Sequence, residues 1–430
     1  MRRLSIVAAV LGVLAASSEL AGAVTTSSAS AATTTSNAPI VVGGDGDLAI
    51  SAGVAQGFQA GIYRFNKAGG LDGRKIQFTG FLDDGFSPQT NLTNAQQLVQ
   101  NKHVMVVAPF LSQVATATTG SYLAENKTPF IGWSVNAAFA TQPKWGFGIN
   151  GNQGNPDVQG LAGMQQVLSA TGNTKSPGKM KMAFIAENIP GGITANDALA
   201  SVAKFVGMKV VYQESPIAVV GTTDYAPYAQ AIISSGANAV YEVLASADSI
   251  GLSAALKSAG FKGTVYNGVT YYPGQLNSQP NEAAALNGVY VENEFPANEN
   301  NTPAVKQAEK DLQSIGQKPY LTSGVSVGYW SAIVLEQMLK ATLASVGGDP
   351  NKVTGTALQK TVTGGFTYTD PIAGGIGSET FPAAETVPTG CGTLVLTTGT
   401  TFKQIAPFQC LGAVNVATQT KINPATGKPA

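Results

Sequence analysis

The chain has 430 residues, 44% hydrophobic and only 12% charged, with 25 basic side chains against 25 acidic ones. That length exceeds one ordinary compact domain and points to two lobes of ordinary size. The low charge, against the roughly 25% usual for soluble domains, leaves solubility to neutral polar groups, and zero net charge without a Lys/Arg run excludes the counterion release that drives nucleic-acid binding.

The amino terminus carries Arg2 and Arg3, the apolar run Leu4 to Ala16, and small residues ending in Ala21-Gly22-Ala23, the layout of a secretory signal peptide over 1–23. Its apolar run is shorter than the about 20 residues that a bilayer requires, and no later segment is long and apolar enough to span. The mature protein is therefore expected to be exported, extracellular or periplasmic, and associated with the cell envelope. Leu20-Ala21-Gly22-Ala23 also resembles a lipobox, with Ala23 where the lipid-carrying Cys would stand, so no acylation is expected there. Residues 24–38, VTTSSASAATTTSNA, are too polar to pack and read as a disordered linker.

Ordered structure is expected from Pro39. GGDGD at 43–47 lacks the closing Glu of a calcium loop and reads as the glycine-rich exit of the first strand. Val54, Phe58, Ile62 and Phe65 recur at helical spacing and Gly69-Gly70 supply the stop. Ile76, Phe78, Phe81 and Leu82 predict a strand that ends in Asp83-Asp84, adjacent acids that point to opposite faces and cannot converge as a catalytic pair. Ser87-Pro88 open a helix with an apolar stripe of Leu92, Ala95, Leu98 and Val99, and the single histidine, His103, reads as a surface residue before the buried strand Val104 to Val107.

A helix near 113–125 and the strand Pro129 to Gly132 follow, and WGFGINGNQGNPD at 145–157 reads as the first connection between lobes. The alternation resumes with strands Met180 to Ala186, Met208 to Tyr212, Ala239 to Leu244 and Thr264 to Gly268, with helices between them. Such strict alternation predicts an α/β fold of parallel sheets. The strand Gly288 to Glu292 is expected to restart the pattern, before a helix opened by Thr302-Pro303 and a long helix through Leu335, Met338 and Leu339. The only two cysteines, Cys391 and Cys410, flank a hairpin, and in an exported chain a disulfide is their expected fate.

No nucleophile–base–orienter set and no metal-ligand set is apparent, so no catalytic residue, metal or cofactor is expected. The loops after the strands instead carry small polar and aromatic residues: Ser112-Gln113, Trp133-Ser134 with Asn136, Ala245-Ser246, and Thr270-Tyr271. In parallel α/β sheets ligands bind beyond the carboxyl ends of the strands. Ser112 and Gln113 would begin a helix, whose N–H groups favour an anion such as a carboxylate.

FNKAGGLDGRKIQF at 65–78, LDD at 82–84, NAQQLVQNKHVMVVAP at 94–109, AENKTPFIG at 124–132, GTTDYAPYAQAIISSGANAVY at 221–241, ALKSAGFKGTVYNG at 255–268, GVYVENEF at 288–295 and VSVGYWSAIVLEQML at 325–339 follow one another in an order that resembles the solute-binding proteins of branched-chain amino-acid-type ABC transporters, the type I periplasmic binding proteins. The resemblance covers most of residues 39–370. It implies two doubly wound parallel-sheet lobes joined by three crossover segments: lobe 1 from 39–148 and 288–370, lobe 2 from 149–287 and 371–418, with 419–430 as a flexible tail.

It further implies a protein that catalyses nothing, closes by hinge motion on a small-molecule solute, an amino acid or other carboxylate, and delivers it to a membrane permease, acting as a monomer. Ser112, Ser134 and Asn136 fall at family ligand contacts. The second lobe departs from the family: Pro190-Gly191 stand for a Tyr-Gly pair, and Thr270 for the acid that holds an amino group. Trp133 and Tyr271 would then wall off an aromatic or extended apolar acid. A ligand-sensing receptor module on the same fold and a secreted α/β hydrolase are the alternative readings.

Overall fold

The computed structural model describes residues 38–218 and 221–430. The expected signal peptide, and the linker up to Asn37, lie outside the described residues.

The alternation begins with β1 (Ile40–Gly46), α1 (Val54–Lys67), β2 (Ile76–Asp83), α2 (Pro88–Gln100), β3 (Val106–Leu111), α3 (Ala117–Glu125), β4 (Phe130–Gly132), α4 (Ala137–Thr141) and β5 (Gly146–Gly148). The strands make one parallel sheet ordered β2-β1-β3-β4-β5. Helix α1 forms because Val54, Phe58, Ile62 and Phe65 share a face that is buried on this sheet, and it stops at Gly69 and Gly70, whose φ values of 104° and 73° suit glycine alone. Helix α2 starts at Ser87, whose Oγ accepts from the Thr90 N–H at 3.2 Å, with Pro88 in the first turn. Its buried face is Asn91, Asn94, Ala95 and Leu98, while Leu92 and Val99 stay half-buried. The face is turned from the predicted apolar stripe because Asn91 and Asn94 bond Asp45 in β1.

After β5 the chain crosses through β6 (Val158–Gly160) and α5 (Ala162–Ala170) into β7 (Lys181–Glu187), α6 (Pro190–Phe205), β8 (Lys209–Ile217), α7 (Ala226–Ser234), β9 (Ala239–Val243), α8 (Ser246–Ser258), β10 (Thr264–Asn267), α9 (Pro280–Leu286) and β11 (Tyr290–Asn293). It returns through α10 (Pro303–Ser314), α11 (Ser323–Ser345) and α12 (Gly355–Thr363), which share one apolar core with α1 and the first sheet. A small ladder of β12 (Thr367–Tyr368) and β13 (Glu379–Thr380) precedes the last crossing, to the hairpin β14 (Cys391–Thr398) and β15 (Thr401–Cys410). The second sheet is ordered β15-β14-β11-β10-β9-β7-β8, parallel from β8 to β11 and antiparallel where β14 and β15 join. The two sheets, each flanked by helices, and the three crossings make an α/β fold of the doubly wound type.

Two expectations are corrected here. The strand at 288–292, assigned to lobe 1, belongs to the second sheet, because β11 pairs with β10 on one side and β14 on the other; the return to the first sheet begins at α10. The tail at 419–430 is ordered: β16 (Ala413–Asn415), β17 (Thr420–Asn423) and β18 (Lys428–Pro429) build a four-stranded sheet with β6, because pairing to the crossing strand buries Ala413, Val414 and Ile422. Cys391 and Cys410 face each other across the hairpin ladder and form a disulfide. His103 is exposed between α2 and β3. Among the described residues no helix is long and apolar enough to cross a membrane, and no group of His, Cys, Asp and Glu is placed to hold a metal ion.

Candidate functional site

In each sheet the strand order reverses beside its first strand, between β1 and β3 in one and between β7 and β9 in the other. These reversals open crevices at the carboxyl ends of parallel strands. A cavity of about 160 Å³ lies between the strand ends of the two sheets. The first sheet supplies Gln113 after β3 and Trp133 and Val135 after β4; the first crossing supplies Gln153 and Gln159. The second supplies Tyr241 to Val243 in β9 and Leu244 after it, Val269 after β10, and Glu292 and Glu294 in and after β11. Gly191 and Gly192, in the first turn of α6, close one wall. There Gly191 approaches the loop after β3 so closely that an added Cβ would stand 2.7 Å from the Gln113 carbonyl oxygen.

The charged groups on these walls are acids, beside the amides of Gln113, Gln153 and Gln159. Trp133 Nε1 donates across the cavity edge to Glu294 Oε2 at 2.7 Å and, more weakly, to Gln153 Oε1 at 3.2 Å. Tyr241 donates its hydroxyl to Glu292 Oε2 at 2.7 Å. Glu242 accepts from Ser253 Oγ at 3.1 Å. Beside the cavity, Glu187 at the end of β7 accepts the N–H of Ala245. Loss of water raises the proton affinity of each: burial pushes Glu292 up to about 7, Glu242 to about 8, and Glu294 above the usual carboxylate range, and burial together with Asp248 holds Glu187 at about 7. Among the described residues no Lys, Arg or His lines the cavity.

Of the residues singled out in the sequence, Gln113 and Trp133 line this cavity. The others do not line it: the polar side chains of Ser112, Ser134, Asn136, Thr270 and Tyr271 bond within the protein, and Ser246 Oγ is buried without a partner among the described residues. Ser112 Oγ donates to Asp84 at 2.6 Å and accepts from the Val114 N–H. Ser134 Oγ donates to the Gly151 carbonyl at 2.7 Å and accepts from the Gln153 N–H, tying the crossing segment to the loop after β4. Asn136 caps α4 and donates to the Ser112 carbonyl at 2.8 Å. Ala245 and Ser246 are buried where β9 turns into α8. Thr270 donates to Asn267 at 2.8 Å. Tyr271 lies in the second sheet's core against Phe402, its hydroxyl on Glu299.

Sequence reasoning missed Glu242, Glu292 and Glu294. A signal was present in β9, AVYEV, where a lone acid interrupts an apolar parallel strand that helices cover on both faces.

A model of the periplasmic binding protein family matches residues 40–395. No match was found among curated proteins. Among solved structures the chain is similar to a solute-binding protein of an ABC transporter from R. palustris in complex with 4-hydroxybenzoate, at 21% identity over 86% of this chain and 97% of that one, with a TM-score of 0.65. A fatty acid ABC transporter substrate-binding protein from Thermomonospora curvata gives 17% identity, 88% and 94% coverage and a TM-score of 0.69. A branched-chain amino acid ABC transporter protein from Thermus thermophilus with bound valine gives 14%, 86% and 96%, and 0.66.

Proposed function

The chain belongs to the periplasmic binding protein family, and from that premise we propose that it is an exported protein that captures a small organic solute between its two sheets and delivers it to the membrane permease of an ABC importer. The observation that carries this reading is the cavity itself: its walls come from the strand ends of both sheets and from a crossing segment, so occupancy and the mutual position of the sheets are coupled. Residues 39–148 with α10 to α12 act as one lobe, and 149–293 with the β14–β15 hairpin as the other. Hinge closure then brings Gln113 to Gly191 and Trp133 to Glu294. Among the described residues the cavity's polar lining is amides, acids, a threonine and a tyrosine, without Ser, Cys or His, which favours capture over turnover.

A screen of small metabolites by thermal unfolding tests the reading. A true ligand at about a hundred times its Kd adds roughly 2.7 kcal/mol and raises Tm. A broad screen without a single shift would sink the proposal.

A further inference from the structure

Resting on that reading, we infer that the solute is an organic cation, a small amine with an apolar body, whose ammonium group is held by Glu292 and Glu294 beside Trp133 and Tyr241. Three acids and, among the described residues, no basic side chain line the cavity, and the carboxylate of one of them, Glu242, is taken by Ser253. A solute anion would meet like charges in a site that water leaves as the sheets close, where electrostatic terms are largest. Position 270, where the family resemblance would place the amine-holding acid, is occupied by Thr270, engaged with Asn267. The acids that face the cavity come instead from β9 and β11.

The hydrogen bonding of these acids is a separate observation with the same direction. Glu292 receives one hydrogen bond, from Tyr241 at Oε2, and among the described residues no donor reaches its Oε1. Glu294 Oε2 takes Trp133 Nε1 while both side chains keep partial exposure at the cavity wall. A carboxylate oxygen without a protein donor on a cavity wall is open to a donor from the solute, and an ammonium group, with up to three N–H donors, can reach both acids at once. The first turn of α6 forms another wall, but a helix N-terminus amounts to about half a positive charge, which does not offset Glu292 and Glu294 together. Val135, Val243, Leu244 and Val269 give the cavity an apolar part beside its amides, and Trp133 and Tyr241 add aromatic rings to the lining. At about 160 Å³ the cavity suits a single ring or short chain.

Calorimetry and thermal unfolding of the purified protein with benzylamine, benzyl alcohol and benzoate compare one ring carrying a cation, a neutral donor and an anion. Benzylamine should bind roughly tenfold or more tightly than benzoate, and Glu292→Gln and Glu294→Gln should each weaken it by roughly tenfold, with unliganded Tm near that of the parent and benzyl alcohol binding retained. Benzoate binding as tightly as benzylamine, benzylamine unaffected by both substitutions, or an anion emerging as the best ligand of a metabolite panel overturns the amine assignment and leaves the solute-binding reading standing. Another panel amine that depends on Glu292 supports the assignment. A panel in which nothing binds overturns both.

Discussion

Both sheets carry acids toward the carboxyl ends of their strands, and the two groups are treated oppositely. In the first sheet Asp45 accepts from Asn91 and Asn94, both at 2.8 Å; Asp84 accepts from Ser112 at 2.6 Å, the Phe86 N–H at 3.0 Å and Asn91 at 3.2 Å; Asp47 accepts from the Gln113 and Phe86 N–H groups at 2.8 and 3.1 Å. Burial and the neighbouring Asp84 push Asp47 up to about 9, so it holds a proton at neutral pH and no cation is needed. In the second sheet Glu292 has a single donor and faces a cavity. A saturated acid cluster is architecture; an under-supplied one on a cavity wall is held ready for something from outside.

The contrast can be broken by substitution. The largest expected effect is that of Asp84→Ala, which leaves Ser112 Oγ without its acceptor, takes one of two acceptors from Asn91 and the Phe86 N–H, and should lower unfolding free energy by about 3 kcal/mol in urea titration. Next is pH. Asp47, Glu242 and Glu379 have folded values raised to about 9, 8 and 8, so the folded state keeps protons that the unfolded chain has released. Their full contribution is present below the ordinary carboxylate range and is lost as pH rises toward 8 and 9, so Tm should be higher at pH 5 than at pH 8. Asp47→Asn should flatten that slope more than Glu292→Gln does. Ser112→Ala, which removes one buried donor, should cost about 1–2 kcal/mol. Smallest is Glu292→Gln, which keeps its shape and should change stability by less than about 1 kcal/mol. A loss as large as that of Asp84→Ala would erase the distinction between the two sheets.

Much of the fold was legible because local chemistry and tertiary need agree. Ser87-Pro88 and Thr302-Pro303 cap the helices they announce, with Thr302 Oγ1 accepting from the Val305 N–H at 3.2 Å. Cys391 and Cys410 sit opposite each other in a hairpin that the turn residues already imply. The site was less legible because a hydroxyl in a loop after a strand looks the same whether it meets a ligand or a neighbour. Ser112 meets Asp84, which is distant from that loop in sequence and comes beside it only once β1 has paired with both β2 and β3. Asp83, by contrast, stays at the surface, accepting from the Leu48 and Gly85 N–H groups. Glu242 and Glu292 lie inside strands, and only the pairing of β9 and β11 through β10 brings them to one wall, which the first sheet then faces. Pairing of the chain's last residues to β6 left no periodic mark, since β17 and β18 are too short and polar to show one.

That last pairing has a practical side. Residues 396–430 lie beyond the family match, yet through β18, β17 and β16 they reach β6, in the segment that carries the chain from one sheet to the other, and the Ala430 N–H bonds the Lys421 carbonyl at 2.9 Å. A fluorescent protein fused after Ala430 would be wired to that segment, and pairing it with a second fluorophore at an exposed site on the first sheet, such as Lys102, is a direct design for an optical reporter of the solute.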